Sequence, residues 1–415
     1  MMSVIVDNLI PPRPDYKSYG EIVWGQFKKY RLSYYSMYGV LGLFILAVIC
    51  PMIAMNVPFY IHVPEGVGPA HIQGTSFPWF AALFDTNFFD SGVDIFFNFL
   101  IFYLPVALLG WFGYAKTAGF ETKVDRREAR LKFIGLASLV GFIGFAALYF
   151  YGFRQPYVNF GEITQLEGVK AVFPLIEYSY RDVDLMSVTQ SPSWEHLLGT
   201  DREGRDVFTR LIYGTRISLT IGLVAVSIYT AIGLFLGSMA GYFGGRIDAI
   251  ILRMIEIMIC FPVLFLILTL AGFIREPSIF HIMLIIGFTG WTGIARLVRG
   301  EFLRLKNQDF VQAAIAMGLT QKRIIFRHVL PNAVGPVFVA ATFGIAGAIL
   351  IEATLSFLGI GPATAPSWGQ ILTTGRTTQQ MALILAPGFA IFLTISLLNL
   401  IGEGLRDATD PKLRK

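Results

Sequence analysis

Three carboxylates fall close together in LGTDREGRD, where Asp201, Glu203 and Asp206 alternate with arginine and glycine. Such a cluster could hold a divalent metal or run acid–base chemistry, but either role needs a ligand or base at matching spacing. No histidine stands at such a spacing, and the five histidines of the chain are scattered. No Gly-x-Ser-x-Gly elbow is present to expose a nucleophilic serine. Gly110 to Thr117, GWFGYAKT, comes close to a phosphate-binding loop, whose pattern ends Gly-Lys-Ser/Thr. Ala115 stands where that pattern needs glycine, and the run closes an apolar stretch instead of joining a strand to a helix. The chain is therefore not expected to be an enzyme or to hydrolyse nucleotide, and no catalytic residue or metal ligand is assigned. LGTDREGRD reads instead as an exposed turn before an amphipathic helix, with Arg205 and Asp206 free to pair.

Two other carboxylates lie inside apolar runs. Glu256 sits where an unpaired charge costs roughly a few kcal/mol in a membrane, or is neutralised. Arg253, three residues before it, can pair with it along one helix face, which accounts for the charge better than a proton relay does. Glu352, in IEATLSFLGIG, is read as a structural or gating hydrogen-bond partner in preference to a substrate contact. Cys50 and Cys260 both lie in hydrophobic runs and suggest neither a disulfide framework nor a metal site.

The most shaped polar stretch is Asn307 to Pro331, NQDFVQAAIAMGLTQKRIIFRHVLP. Lys306, Lys322, Arg323 and Arg327 keep it out of the bilayer, between two long apolar runs. Phe310, Ala313, Ala314 and Met317 recur at helical spacing and give a first short helix an apolar face. Gly318 suits the left-handed residue that closes a helix. Thr320 is expected to cap a second short helix through its hydroxyl, and Pro331 to stop it. The product is a helix–turn–helix on the membrane surface; the alternative is a plain connector.

These residues need a membrane to position them. Hydrophobic residues make up 54% of the 415 and charged ones only 15%, a balance that a polytopic membrane protein carries and a soluble one does not. Runs of about 20 apolar residues, the length that crosses the hydrocarbon core, occur at 36–55, 94–115, 133–152, 217–240, 254–274, 280–298, 333–356 and 381–401. Pro262 would kink the fifth of these eight expected spans. The mixed polar residues before the first run argue against a cleaved leader and for an uncleaved anchor.

Lysine and arginine in the short loops set the orientation. Loop 56–93 has none, whereas 116–132 holds Lys116, Lys123, Arg126, Arg127, Arg130 and Lys132. Loop 299–332 is basic again, and 357–380 has only Arg376. The tails carry Arg13, Lys17, Lys28, Lys29 and Arg31 at one end and Arg406, Lys412, Arg414 and Lys415 at the other. Eight spans with both ends cytoplasmic satisfy every short loop. The expected organisation is a cytoplasmic tail 1–35, three spans over 36–152, an extracytoplasmic segment 153–216 holding Pro156, Pro174 and Pro192, a five-span core 217–401, and a cytoplasmic tail 402–415.

The opening Gln312-Ala313-Ala314, then Gly318, then His328 and Leu330-Pro331, resembles the cytoplasmic coupling loop of ABC importer permeases. That pattern has glutamate where this chain has Gln312 and isoleucine where it has His328; RHVLPN is a usual ending in the peptide-importer branch. LGTDREGRD with the following RLIYGTRISL, LSFLGIG and GEGLRDATDPKLR also resemble that branch, in the expected order over roughly residues 190–415. An acidic residue at the place of Glu256 is usual there. The likeness is to the second of the two permease subunits of dipeptide, oligopeptide, nickel and peptide-antibiotic systems. It implies an all-α, type I importer transmembrane domain in a bacterial inner membrane, with six usual spans and two extra N-terminal ones.

The resemblance further implies an ATP-driven importer of peptides or peptide-like solutes working by alternating access. Gln312, Ala313, Ala314, Met317, Gly318, Arg327, His328, Leu330 and Pro331 would form its ATPase-coupling loop. The implied partners are a second homologous permease, two cytoplasmic ABC ATPase subunits that carry the ATP and Mg, and an extracytoplasmic solute-binding protein. The chain itself would hold no cofactor and bind no nucleic acid, since polybasic runs with interleaved aromatics are absent. A self-contained channel or secondary transporter is the rival reading; it predicts inverted repeats and polar residues lining broken helices, neither of which stands out.

Overall fold

The computed structural model describes residues 19–410 apart from 68–72, 90, 119, 121–122, 153, 155–157, 276–277 and 362–364. Arg13, Lys17, Pro156, Lys412, Arg414 and Lys415 lie outside the described residues. A short helix α1 (Tyr19–Phe27) precedes the first long one, α2 (Arg31–Ile53). Strands β1 (Tyr60–Val63) and β2 (Gly74–Ser76) and a turn of helix, α3 (Pro78–Ala82), lead to the antiparallel pair α4 (Gly92–Thr117) and α5 (Lys123–Tyr151). Then come α6 (Phe160–Ile163), β3 (Lys170–Val172) and the 37-residue α7 (Val207–Phe243). The remainder is helical: α8 (Gly245–Cys260), α9 (Val263–Gly272), α10 (Ile279–Thr289), α11 (Trp291–Leu305), α12 (Asp309–Ala316), α13 (Gln321–Ile324), a π-helical turn Ile325–Val329, α14 (Leu330–Phe357), α15 (Trp368–Thr378) and α16 (Met381–Thr409).

Among the described residues seven helical stretches are long and apolar enough to cross a membrane, and an eighth follows if the bent pair α8–α9 counts as one. Each expected span has its counterpart. The one at 254–274 is not straight: α8 and α9 meet at 80° across Phe261 and Pro262, because proline removes the ladder hydrogen bond that would hold a helix through that point. Several helices run past the expected ends. α7 begins at Val207, well before 217, because Asp206 caps it by accepting from Thr209 N at 2.7 Å. α16 runs on to Thr409, and α1 reaches it: a Cβ at Gly404 would lie 2.4 Å from Ser33 and 3.1 Å from the Phe27 ring. The two ends of the described chain thus meet at one end of the bundle, as the loop charges require.

The opposite end carries a cap that departs from a purely helical fold. β1 pairs antiparallel with both β2 and β3, in the order β2-β1-β3, with Ile61 opposite Ser76 and Ala171. Ile61 and Val63 point inward onto Trp79, Leu83, Phe89 and Tyr180. Trp79 Nε1 donates to the Pro51 carbonyl at 3.0 Å and Tyr213 Oη to the Ala54 carbonyl at 3.0 Å, which seats the cap on α2 and α7. Loop 56–93 and segment 153–216, expected as separate pieces, therefore form one unit. Strands of three and four residues leave little periodic signal, and their pairing is non-local.

Arg216 lies fully buried where α2, α4 and α7 meet. It donates to Asp94 Oδ1 at 3.1 Å, Asn98 Oδ1 at 2.8 Å and the Ala47 and Val48 carbonyls at 2.6 and 3.3 Å. The rings of Tyr213 and Phe97 flank its guanidinium. The first turns of α4 are thereby part of the core. Beyond Leu100, no described residue of α4 is buried.

Candidate functional site

The stretch singled out above lies at the end of the bundle away from the cap. Lys306 Nζ donates to the carbonyl of Gly241 in the last turn of α7 at 3.2 Å, and Gln312 Nε2 reaches back to the Lys306 carbonyl at 2.9 Å. Asp309 opens α12 with an acid where the helix dipole favours one. Gly318, at φ +75°, closes it: its N–H donates to the Ile315 carbonyl at 2.9 Å and that of Leu319 to the Ala314 carbonyl at 3.2 Å. This paired closure is the one that a left-handed residue permits.

α12 has two apolar faces, not one. Val311 and Ala314 are completely buried and join Phe302, Leu305, Ile324 and Val329 in the main core. Phe310, Ala313, Ile315 and Met317 face outward, with Met317 71% exposed. Ala314 is thus an inward anchor, and the outward surface belongs to Phe310, Ala313 and Met317. Phe326 continues it, and Gln312, Arg323 and Arg327 are exposed around it.

Two local expectations are corrected. The Thr320 side chain makes no capping bond; its carbonyl accepts from Ile324 N at 3.0 Å and the backbone alone starts α13. Pro331 stops nothing. The chain stays helical from Gln321 through the π turn into α14, and Pro331 comes just after that turn, where the hydrogen-bond ladder is already irregular. His328 is half-buried and its carbonyl accepts from Asn332 Nδ2 at 2.7 Å, while Leu330 is half-buried beside the core.

The other charges find partners within the chain. Arg253 Nη1 meets Glu256 Oε2 at 2.8 Å on the exposed face of α8. Glu352 is fully buried on α14 and accepts from Ser356 Oγ at 2.8 Å; Ser356 in turn takes a 3.3 Å bond from Ser367 Oγ, just before α15. LGTDREGRD is not an exposed turn. Asp206 meets His196 Nδ1 at 3.0 Å, and Asp201 holds Arg205 at 2.8 Å, so Arg205 and Asp206 do not pair. GWFGYAKT forms the last turns of α4, a helix and not a loop around a phosphate.

Sequence reasoning missed what joins the loop to the bundle. Gly233, Gly237 and Gly241 line one edge of α7, where a Cβ would come within 2.6, 2.5 and 2.6 Å of Ile294, Ala295 and Phe302. Their four-residue spacing was the available signal: small residues at that interval let two membrane helices touch backbone to backbone. Arg299 on α11 grips Asp248 on α8 through two bonds of 2.5 and 2.7 Å. α7, α8 and α11 are therefore tied together at the point where Lys306 leads into α12.

Residues 233–415 match the family model described as the binding-protein-dependent transport system inner membrane component. The oligopeptide transport system permease protein OppC of Haemophilus influenzae is 40% identical over 242 residues, 57% of this chain and 78% of that protein. The chain belongs to this ABC importer permease family. The dipeptide transport system permease protein DppC of Alkalihalophilus pseudofirmus is 42% identical to the permease over 243 residues, 58% of this chain and 80% of that one. OppC of Bacillus subtilis is 40% identical over 57% of this chain and 79% of its own. Among solved structures, the inward-facing MetNI methionine ABC transporter matches 48% of the chain at 19% identity and TM-score 0.42, covering 97% of the solved chain. The permease is a multi-pass protein of the bacterial inner membrane, with a mostly helical fold.

Proposed function

We propose that the permease is one of two membrane subunits of an ATP-driven importer of peptides or peptide-like solutes, and that α12 couples it to the ATPase subunits. The observation that carries this reading is the division of labour on α12. Val311 and Ala314 lock it to the permease's own core, while Phe310, Ala313 and Met317 offer an apolar face outward at the basic, cytoplasmic end. A helix held so firmly from behind can transmit a push. Its movement would pass through Lys306 to the end of α7, and through Arg299 and Asp248 to α8.

The partners in this reading are a second homologous permease, two cytoplasmic ABC ATPases and an extracytoplasmic solute-binding protein. ATP and Mg bind the ATPases, and this chain supplies no catalytic group. Closure of the ATPases rocks the spans, and the cavity between the two permeases turns from one side of the membrane to the other. Glu352 and the Arg253–Glu256 pair serve the structure or the gating of the bundle. Purifying the permease with its neighbours tests the assignment. Co-elution of an ATPase from the wild type, and its loss from Ala313→Trp with the permease still in the membrane, supports it. Transport by the chain alone in vesicles without ATP would favour a self-contained carrier.

A further inference from the structure

The pair α4–α5 contains a groove that the importer reading does not use. The two helices run antiparallel and touch through small residues: Gly141 meets the Tyr103 ring, Gly144 meets Phe99 and Gly110 meets Phe133. Tyr103 Oη donates to the Ala137 carbonyl across the pair. Below that bond the helices leave a cavity of about 260 Å³, walled by Leu104, Leu108, Trp111, Phe133 and Ala137. Arg130 stands at one end of it.

We propose that this groove binds a phospholipid with an anionic headgroup, one acyl chain lying between α4 and α5 and the phosphate on Arg130. Three observations converge on that occupant. The walls are almost wholly apolar and lie on helices long enough to cross the membrane, so hydrocarbon and not water fills them. The distal half of the pair stands largely clear of the core: Ile101, Tyr103, Leu104 and Phe145 touch it, but Gly141 is the only buried residue among the described residues of 101–117 and 125–151. The groove therefore opens to the bilayer.

The third observation is charge. Arg126, Arg127 and Arg130 are exposed in the first turns of α5, and Lys132 is paired with Glu128 at 2.9 Å, leaving the arginines to face the headgroup layer. A basic pocket between membrane helices at the cytoplasmic surface is suited to anionic headgroups. Trp111, Tyr114 and Phe133 cluster at the same level, with Trp111 5.4 Å and Tyr114 6.3 Å from the Phe133 ring, where aromatic side chains sit between hydrocarbon and headgroups.

The test uses the assembled transporter in nanodiscs, with phosphatidylglycerol or phosphatidylcholine carrying brominated acyl chains as quenchers. The Trp111 signal is the difference between wild type and Trp111→Phe. Half-quenching of that signal is expected at an about five-fold lower fraction of brominated phosphatidylglycerol than of brominated phosphatidylcholine, the preference that one arginine near the surface supplies. Arg130→Gln, an exposed position whose change does not touch packing, should abolish the preference while leaving quenching by both lipids. Equal quenching by the two lipids in the wild type would overturn the proposal. So would a preference that survives Arg130→Gln, or a Trp111 signal that neither lipid quenches, which would mean that protein covers the groove.

Discussion

Replacing Asp94 with alanine tests whether α4 is welded into the core. Arg216 is fully buried, and among the described residues Asp94 is its carboxylate partner, at 3.1 Å. Removing one member of a buried ion pair typically costs about 3–5 kcal/mol, because the other charge stays buried without compensation. Here the guanidinium keeps Asn98 Oδ1 at 2.8 Å and the Ala47 carbonyl at 2.6 Å, so the loss should fall at the lower end, about 3 kcal/mol. Asp94→Asn keeps the shape and a hydrogen bond from the guanidinium but removes the counter-charge, so it should cost less than Asp94→Ala while still destabilising. The double variant Asp94→Leu with Arg216→Met removes both charges and should be more stable than Asp94→Ala alone. The assay is chemical denaturation of the detergent-solubilised permease, with wild type, Asp94→Leu, Arg216→Met and the double variant forming one cycle beside Asp94→Ala and Asp94→Asn. Wild-type stability in Asp94→Ala, or a double variant that costs the sum of its singles, would refute the reasoning.

Other substitutions test separate parts of the structure. Gly237→Val should lose at least about 1–3 kcal/mol and much of the folded yield, since its Cβ would lie 2.5 Å from the Ala295 carbonyl, whereas Gly293→Ala, with open space around it, should be silent in the same thermal assay. Asp182, half-buried in the cap with Asn56 Nδ2 at 2.7 Å, has its carboxyl pushed up to about 6 by desolvation. A carboxyl raised on folding binds its proton more tightly in the native state, so its contribution to stability falls as pH rises from about 4 to about 6 and is constant above. Protease resistance of the cap in Asp182→Asn should lack that part of the pH dependence; an unchanged difference profile would contradict it. Ala118→Cys, between α4 and α5, should escape an impermeant thiol reagent in intact cells, in a background where the exposed Cys260 is replaced by serine. Labelling there would reverse the assigned orientation.

The elements that follow from local physics were legible in the sequence. Apolar length located the spans, and the lysines and arginines of 116–132 give the orientation that labelling of Ala118→Cys tests. Gly318 announced its positive φ because few other residues tolerate one. Features that depend on what lies opposite were not legible. Phe310, Ala313, Ala314 and Met317 are all apolar, and only the packing of Val311 beside Ala314 tells the anchored face from the free one. His196 and Asp206 are ten residues apart along a coil, so no helical spacing announces their contact. Arg216 read as part of a motif, and its carboxylate partner lies 122 residues away. The cap escaped notice for the same reason: β1 finds β3 only after the chain has crossed the membrane twice through α4 and α5.

The coupling assignment rests on the outward face of α12, and a photocrosslink tests it most directly. With a benzophenone amino acid in place of Met317, irradiation of cells carrying the whole transporter should join the permease to an ATPase subunit. The same group in place of Leu185, exposed in the segment 153–216 that the loop charges place outside the cytoplasm, should yield no such adduct. An ATPase adduct from position 317 that weakens in Ala313→Trp is the predicted result. No ATPase adduct from 317, in an importer that still transports, would contradict the account.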